Sequence, residues 1–227
     1  MTRAVLWDFD GTLATREGMW SGCLVETLDA VLPGHGVTSE AVRPGLREGF
    51  PWHTPDAGHT HTPDSWWAAL APTLTRAFAG AGVAPDVAAR AAAEVRRCYA
   101  DPARWTVYPD VVPAFEALAG WRHVVVSNHV PELSGLVAAL GLDAYVSAVV
   151  CSAEVGWEKP HPRIYAAARA AAGDPAEVWM VGDNVVADVA GAEAAGIPAI
   201  LVRRSDAAAQ RCAESLAGVV PYVLAGA

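Results

Sequence analysis

The chain has 227 residues, 53% of them hydrophobic and 18% charged, with a formal charge of −9. That composition describes a well-buried globular chain, one full domain or one domain with a smaller insert, and excludes a disordered one. The acidic balance argues against a nucleic-acid backbone as partner. It leaves room for a small anionic substrate, because a metal and a few local cations can reverse the sign inside a pocket.

In chain order, AVLWDF at 4–9 is short, apolar and followed at once by DGT, so it reads as a buried strand ending in a polar turn. From about 15 to 104 the pattern is helical. MWSGCLVETLDAVLPG sets Met19, Cys23, Leu24, Leu28, Val31 and Leu32 near helix spacing and stops at Pro33-Gly34. SEAVRPGLREGF is a weaker, proline-broken candidate. DSWWAALAPTLTRAFAGAG and PDVAARAAAEVRRCYA are longer helices, with Gly80 and Gly82 closing the first and Trp66 and Trp67 facing a core. From 105 onward the rhythm alternates. PDVVPAFEALAG, PELSGLVAALG, PRIYAAARAAAG and ADVAGAEAAG read as helices; HVVVSN, AYVSAVVC, EVWMVGDN and PAILVRR read as strands between them. This spacing predicts an α/β fold with a Rossmann-like parallel sheet covered by helices on both faces, interrupted after its first strand by a helical insert. The expected division is a core of 1–14 and 105–227 and a helical cap of 15–104.

Cysteines stand at 23, 98, 151 and 212 without a CxxC pair, and free thiols in a reducing cytoplasm are the simplest reading. The N-terminus lacks the apolar stretch of a signal peptide, and no apolar run approaches the roughly 18–20 residues that span a bilayer. A cytoplasmic location without membrane contact is therefore expected.

In open parallel sheets ligands bind beyond the carboxyl ends of the strands. Here those ends carry Asp8 and Asp10 after the first strand, Ser127 and Asn128 after the second, and Asp183 after the fourth, with Asp188 on the following helix. Lys159, in the loop after the third strand, is the single lysine among 16 basic residues. Carboxylates crowded together repel unless a cation joins them, and hard oxygen donors without nearby cysteine or histidine point to Mg²⁺. A hydroxyl and a lysine in the same place suit the oxygens of a phosphoryl group. An aspartate can act as nucleophile, and a second one two residues away can move the proton. Ser127-Asn128 also reads as a cap of the next helix.

DFDGT at 8–12, VVVSN at 124–128, EKP at 158–160 and VGDNVVAD at 181–188 together resemble, in order, the four motifs of the haloacid dehalogenase superfamily. The helical insert is similar to that family's C1-type cap, as in its subfamily I. The resemblance implies Asp8 as nucleophile and metal ligand, and Asp10 as general acid/base with its main-chain carbonyl on Mg²⁺. It implies Ser127 and Asn128 at the phosphoryl group and Lys159 between nucleophile and phosphate. Asp183 would be a direct metal ligand, and Asp188 would orient the metal's waters or Lys159. Dehalogenating members have no acidic residue two positions past the nucleophile, so Asp10 points to phosphoryl transfer. Phosphonate-cleaving members need a cap lysine, and 15–104 holds none. The resemblance thus implies an enzyme, a phosphatase of a small phosphorylated metabolite. A phosphomutase of a sugar phosphate is the alternative, and a non-catalytic binding or regulatory protein on this fold a further one, although no motif residue is missing.

Two features stay outside these motifs. The loop HTPD…HTHTPD brings His53, His59 and His61 together in sequence, which invites a metal-site or substrate-loop reading. Thr62-Pro63-Asp64 argues instead for a helix start, with Thr as N-cap and Pro in the first turn. Arg16, Arg43 and Arg47 could meet the far end of an anionic substrate or simply face water.

Overall fold

The computed structural model describes residues 2–59 and 62–226. Its first half runs through β1 (Arg3–Trp7), β2 (Ala14–Thr15), α1 (Met19–Val31), α2 (Ser39–Val42), α3 (Pro63–Gly80), α4 (Pro85–Tyr99) and β3 (Thr106–Val107). The second half continues through α5 (Val111–Ala117), β4 (Arg122–Ser127), α6 (Leu133–Ala139), β5 (Val146–Cys151), α7 (Ser152–Val155), α8 (Pro162–Ala171), β6 (Glu177–Gly182), α9 (Gly191–Ala194), β7 (Ala199–Val202), β8 (Cys212–Ala213) and α10 (Leu216–Ala225).

Six strands form one sheet in the order β5-β4-β1-β6-β7-β8, parallel throughout. Leu6 of β1 pairs with Val124 of β4 on one side and Met180 of β6 on the other. The strand order reverses there, which opens a crevice past the end of β1. Alternate side chains serve two buried layers. Ala4, Leu6, Val124, Val126 and Met180 pack with Ile164, Tyr165 and Ala168 of α8. Val5, Trp7, Val125, Trp179 and Val181 pack with Phe115 of α5, Leu136 of α6 and Val219 of α10. Burial on both faces explains why these strands read as continuous apolar runs rather than alternating ones.

Between β2 and β3 the chain is helical. α1, α3 and α4 bury Leu24, Leu28, Leu70, Leu74, Phe78 and Val95, and Trp66 and Trp67 lie in that core at 2% and 7% exposure. Thr62 caps α3 by accepting from the Ser65 N–H, with Pro63 in the first turn, as the sequence predicts. Pro44 ends α2 after four residues and leaves a 3₁₀ turn in its place. β2 and β3 pair antiparallel where the chain enters and leaves this helical segment.

Three expectations need correction. The sheet has a sixth strand, β8, followed by α10, where the sequence pattern had ended at β7. The helix expected at 187–196 is a π-helical turn over Val185–Ala190 continued by α9. Ser127 and Asn128 do not cap α6, whose N-cap is Glu132. All four cysteines are unpaired thiols, and no helix among the described residues is long and apolar enough to cross a membrane.

Candidate active site

Asp8 follows β1 directly, and its N–H still donates to Val181 O (2.9 Å), so the β1–β6 ladder fixes where its side chain emerges. The carboxylate is 5% exposed. Its Oδ1 accepts from Ser127 Oγ (2.9 Å) and from Lys159 Nζ (2.7 Å), and its Oδ2 from Thr12 Oγ1 (3.3 Å). Side chains from three motifs therefore meet at one carboxyl group. Gly11 turns the chain away with φ +76°, a conformation that favours glycine. A Cβ there would also stand 2.5 Å from Asp183 Oδ2.

Lys159 is 3% exposed, and all three of its ammonium hydrogens have acceptors: Asp8 Oδ1, Asp188 Oδ1 (2.6 Å) and Val126 O (3.0 Å). Its main chain is clamped by Asn128, whose Oδ1 accepts from Lys159 N (2.6 Å) and whose Nδ2 donates to Lys159 O (2.9 Å). The reach of Asn128 is thus toward the lysine loop. Burial opposes the charge on Lys159, but Asp188 and Asp8 hold the ammonium protonated, above its ordinary range. A guanidinium would have to fit its planar fork into a space shaped for one compact cation.

Asp188 is 1% exposed, so it is not a solvated helix charge. Its Oδ1 takes Lys159, and its Oδ2 accepts the Asn184 N–H (2.9 Å). Gly182 leaves room for it, because any side chain there would collide with the carboxylate. Asp183 has a different environment. Its partner is Arg204 Nη2 at 2.9 Å, on a side chain 69% exposed. Burial, with the charge of Asp8 added, pushes Asp183 up to about 6, against the pull of Arg204 and Lys159.

Carboxylate oxygens of Asp8, Asp183 and Asp188 lie within 4.8 Å of one another. Three acids against one ammonium and one exposed guanidinium leave an excess of negative charge in a confined space, which adds to burial in raising Asp183. An oxygen-only donor set of this kind fits Mg²⁺. Asp188 is taken at its two oxygens by the Lys159 ammonium and a main-chain N–H, whereas Asp8 Oδ2 takes only the Thr12 hydroxyl at 3.3 Å and Asp183 meets the exposed Arg204, so these two have the greater capacity for a cation.

Asp10 lies on the other flank. Tyr99 of α4 donates to its Oδ2 (3.4 Å), and His129 Nε2 stands 3.4 Å from its Oδ1. Oδ1 is buried without a hydrogen bond. Burial and the neighbouring Asp10 push the Tyr99 hydroxyl well above its ordinary range, so it serves as a donor. The hollow over these groups has a volume of about 340 Å³, and the helical segment supplies Trp20 and Trp52 to its wall.

The sequence-predicted site residues converge here: Asp8, Asp10, Ser127, Asn128, Lys159, Asp183 and Asp188 all line this hollow. Arg16 does not face it; its guanidinium is buried against Glu26 (2.8 Å) and Cys98 O (3.2 Å). Arg43 and Arg47 lie outside its lining as well. His53 borders a separate hollow under Phe50. His59 Nε2 stands 3.3 Å from Glu158 Oε1, and His59 N donates to Gly156 O (2.9 Å), which docks this loop beside Lys159. His61 lies outside the described residues. Tyr99, Trp20, Trp52 and Arg204 were not legible as site residues, since each reaches the site through packing between distant segments; His129, directly after Asn128, was missed although its place in the chain sets it at the same strand end.

The haloacid dehalogenase-like hydrolase family matches residues 2–196. The human haloacid dehalogenase-like hydrolase domain-containing protein 3 is 29% identical over 88% of this chain and 81% of its own length. A phosphoserine phosphatase of Thermus thermophilus is 41% identical over 55% of this chain and 50% of its own. The L-2-haloacid dehalogenase of Xanthobacter autotrophicus superposes with a TM-score of 0.72 at 23% identity over 100% of both chains, a likeness of fold alone.

Proposed function

The chain belongs to the haloacid dehalogenase-like hydrolase family, and from that premise we propose that it is a Mg²⁺-dependent phosphatase of a small phosphorylated metabolite, working through an aspartyl-phosphate on Asp8. The observation that carries this reading is Asp10. A departing alkoxide needs a proton and a halide does not, and the chain keeps a carboxyl group two residues past Asp8, braced by Tyr99 and His129 on the flank of the hollow.

Asp8 attacks phosphorus in line and the ester oxygen leaves with the proton of Asp10. Asp10 then takes a proton from the water that cleaves the aspartyl-phosphate. Ser127 Oγ and Lys159 Nζ, both already on Asp8 Oδ1, hold the carboxylate in one orientation and face the equatorial phosphoryl oxygens. Asn128 fixes the lysine loop that makes this possible. Mg²⁺ would be held by the Asp8 and Asp183 carboxylates and the Asp10 main-chain carbonyl, with Asp188 ordering its surroundings. When bound it supplies charge neutralisation for the phosphoryl group.

In this reading residues 15–104 are a cap over a core of 1–14 and 105–227, with hinges near 14–18 and 101–106. Support comes from the short β2–β3 pair at the crossing and from Trp20 and Trp52, which face the hollow from the cap side. Closure would exclude bulk water and position the substrate.

The test is product release from two substrates in parallel, phosphate from an aryl phosphate and halide from a 2-haloacid, with and without Mg²⁺. Mg²⁺-dependent phosphate release without halide release is expected. Halide release alone would make the protein a dehalogenase; isomerisation of a bisphosphate-primed sugar phosphate without free phosphate would make it a mutase.

A further inference from the structure

The hollow above Asp8 is polar at its floor and aromatic at its wall. The floor is the carboxylate cluster with Ser127, Asn128 and Lys159; the wall opposite carries Trp20 of α1 and Trp52 of the turn Pro51–His53, with Val186 at the mouth. Both indoles are fixed from behind. Trp20 stacks on Tyr99 with ring centroids 3.9 Å apart and planes at 17°, and Trp52 stacks on Phe50 at 4.5 Å and 16°. Trp20 also touches Phe50 (4.7 Å) and Trp67 (6.2 Å). Val186 is 59% exposed, one of few large apolar side chains among the described residues left in water.

The cations are as telling as the aromatics. Lys159 is the one cationic residue lining the hollow among the described residues, and its ammonium is buried on Asp8, Asp188 and Val126 O, where the phosphatase reading assigns it to the phosphoryl group and not to a second anion. Arg204 is held by Asp183 and borders another hollow with Gly11, Met19 and Tyr108. Arg16 is buried against Glu26. A second anionic group on a substrate, beyond its phosphoryl group, would meet indole rings, Val186 and the neutral amide of Asn184 but no further cation among the described residues, and an anion desolvated without a charged partner is strongly disfavoured.

We propose that the substrate's leaving group is an uncharged alcohol with a flat apolar or aromatic portion, held against the wall that Trp20 and Trp52 form together (ring centroids 6.1 Å apart), and that carboxylate-bearing or bisphosphorylated esters are rejected. The inference rests on the phosphatase reading of the same site and adds the class of ester it takes. A volume of about 340 Å³ stands near the low end of small-molecule pockets, roughly 300–1,000 Å³, and so fits a leaving group of about one ring. Aromatic side chains grip such a ring by offset or edge contacts as well as by burial.

Binding of non-hydrolysable phosphonates tests this apart from turnover. Calorimetry with Mg²⁺ present compares 3-phenylpropylphosphonate, butylphosphonate and 4-phosphonobutanoate. The phenylpropyl ligand is expected to bind at least about tenfold more tightly than the butyl one, and the carboxylate-bearing ligand most weakly. Val186→Lys, a change on an exposed side chain, is expected to raise affinity for 4-phosphonobutanoate about tenfold by placing a cation at the mouth. Trp52→Ala is expected to weaken phenylpropylphosphonate binding about tenfold and butylphosphonate binding less, so that the aromatic preference shrinks. Equal or tighter binding of the carboxylate-bearing ligand by the wild-type protein, or no measurable binding of the phenylpropyl ligand, overturns the inference. The expected binding order with no phosphate released from 3-phenylpropyl phosphate would uphold the aromatic site and overturn the phosphatase reading alone.

Discussion

The floor and the wall of the hollow are built by opposite means. At the strand ends the central polar side chains are each fixed by more than one bond: Asp8 receives three donors, Lys159 reaches three acceptors, and Asp188 is held at both oxygens. The wall from the helical segment has no such network; Trp20 and Trp52 are positioned by ring stacking and burial. Hydrogen bonds to charged groups are directional and fix atoms closely, as a reaction needs. Aromatic packing tolerates changes in shape, as a surface that selects among substrates needs. In the proposed reading chemistry and selectivity would thus reside in separate parts of the chain, and changes in each should have different consequences.

The largest effect is expected on the floor. Asp8→Asn removes the nucleophile while keeping the shape, and should lower phosphate release at least about a thousand-fold with the fold intact by circular dichroism. Asp10→Asn should cost about 10²–10⁴-fold on an alkyl phosphate. With 4-nitrophenyl phosphate the loss in the first step should be smaller, since that leaving group departs without a proton. Lys159→Arg should cost about a hundred-fold or more, by analogy with removing one oriented donor, because the buried space between Asp8 and Asp188 accepts one compact cation. Near-normal turnover in that variant would break the contrast between floor and wall.

A smaller effect follows from Asp183, whose carboxyl group titrates at about 6. A cation requires the ionised form, so the Mg²⁺ concentration for half-maximal activity should rise as pH falls through about 6, by up to about tenfold per unit. Folding carries the matching sign. A carboxyl group raised above its ordinary value stabilises the fold at low pH, and this contribution is lost as pH rises through about 6. The metal-free protein should therefore show a lower melting temperature at pH 7 than this group would allow at pH 5, and Mg²⁺ should stabilise it more at pH 7. Equal Mg²⁺ stabilisation at both values would argue against Asp183 as a ligand. The smallest effect belongs to the wall: Trp52→Ala should reduce kcat/KM for an aromatic ester about three- to tenfold and for a butyl ester by less.

The same division explains what could be read before folding. DFDGT, VVVSN, EKP and VGDNVVAD each place polar residues directly after an apolar strand, and a parallel sheet brings strand ends together whatever the connections do. The core strands were legible as short apolar runs that end in polar turns, and most helices from their period. β8 was not, because two residues have no period, and α10 follows it beyond a stretch of small and polar residues. The turn at Val185–Ala190 was read as ordinary helix, since a π-helical turn differs in backbone bonding and not in composition. The aromatic wall had no local signal. Trp66 and Trp67 were read as core, and are core; nothing near Trp20 or Trp52 distinguishes them from those two. What separates them is that Trp20 stacks on Tyr99 from a distant helix and Trp52 on its near neighbour Phe50, and that both of these pairs meet at the hollow. Tyr99 meets Asp10 through tertiary packing, and His129 meets it from the strand end that also carries Asn128.

The claim on which the rest depends is that Asp8 becomes phosphorylated. Asp10→Asn mixed with Mg²⁺ and 4-nitrophenyl phosphate should accept the phosphoryl group, since the nitrophenolate leaves unaided, and then stall, since no carboxylate remains to activate water. Acid quenching within one turnover and mass spectrometry of the peptide carrying Asp8 reads this directly. A phosphoryl adduct on Asp8, formed as one equivalent of nitrophenolate appears, is the predicted result. Steady hydrolysis with no adduct on that peptide, undiminished when Asp8 is also replaced by Asn, would contradict it.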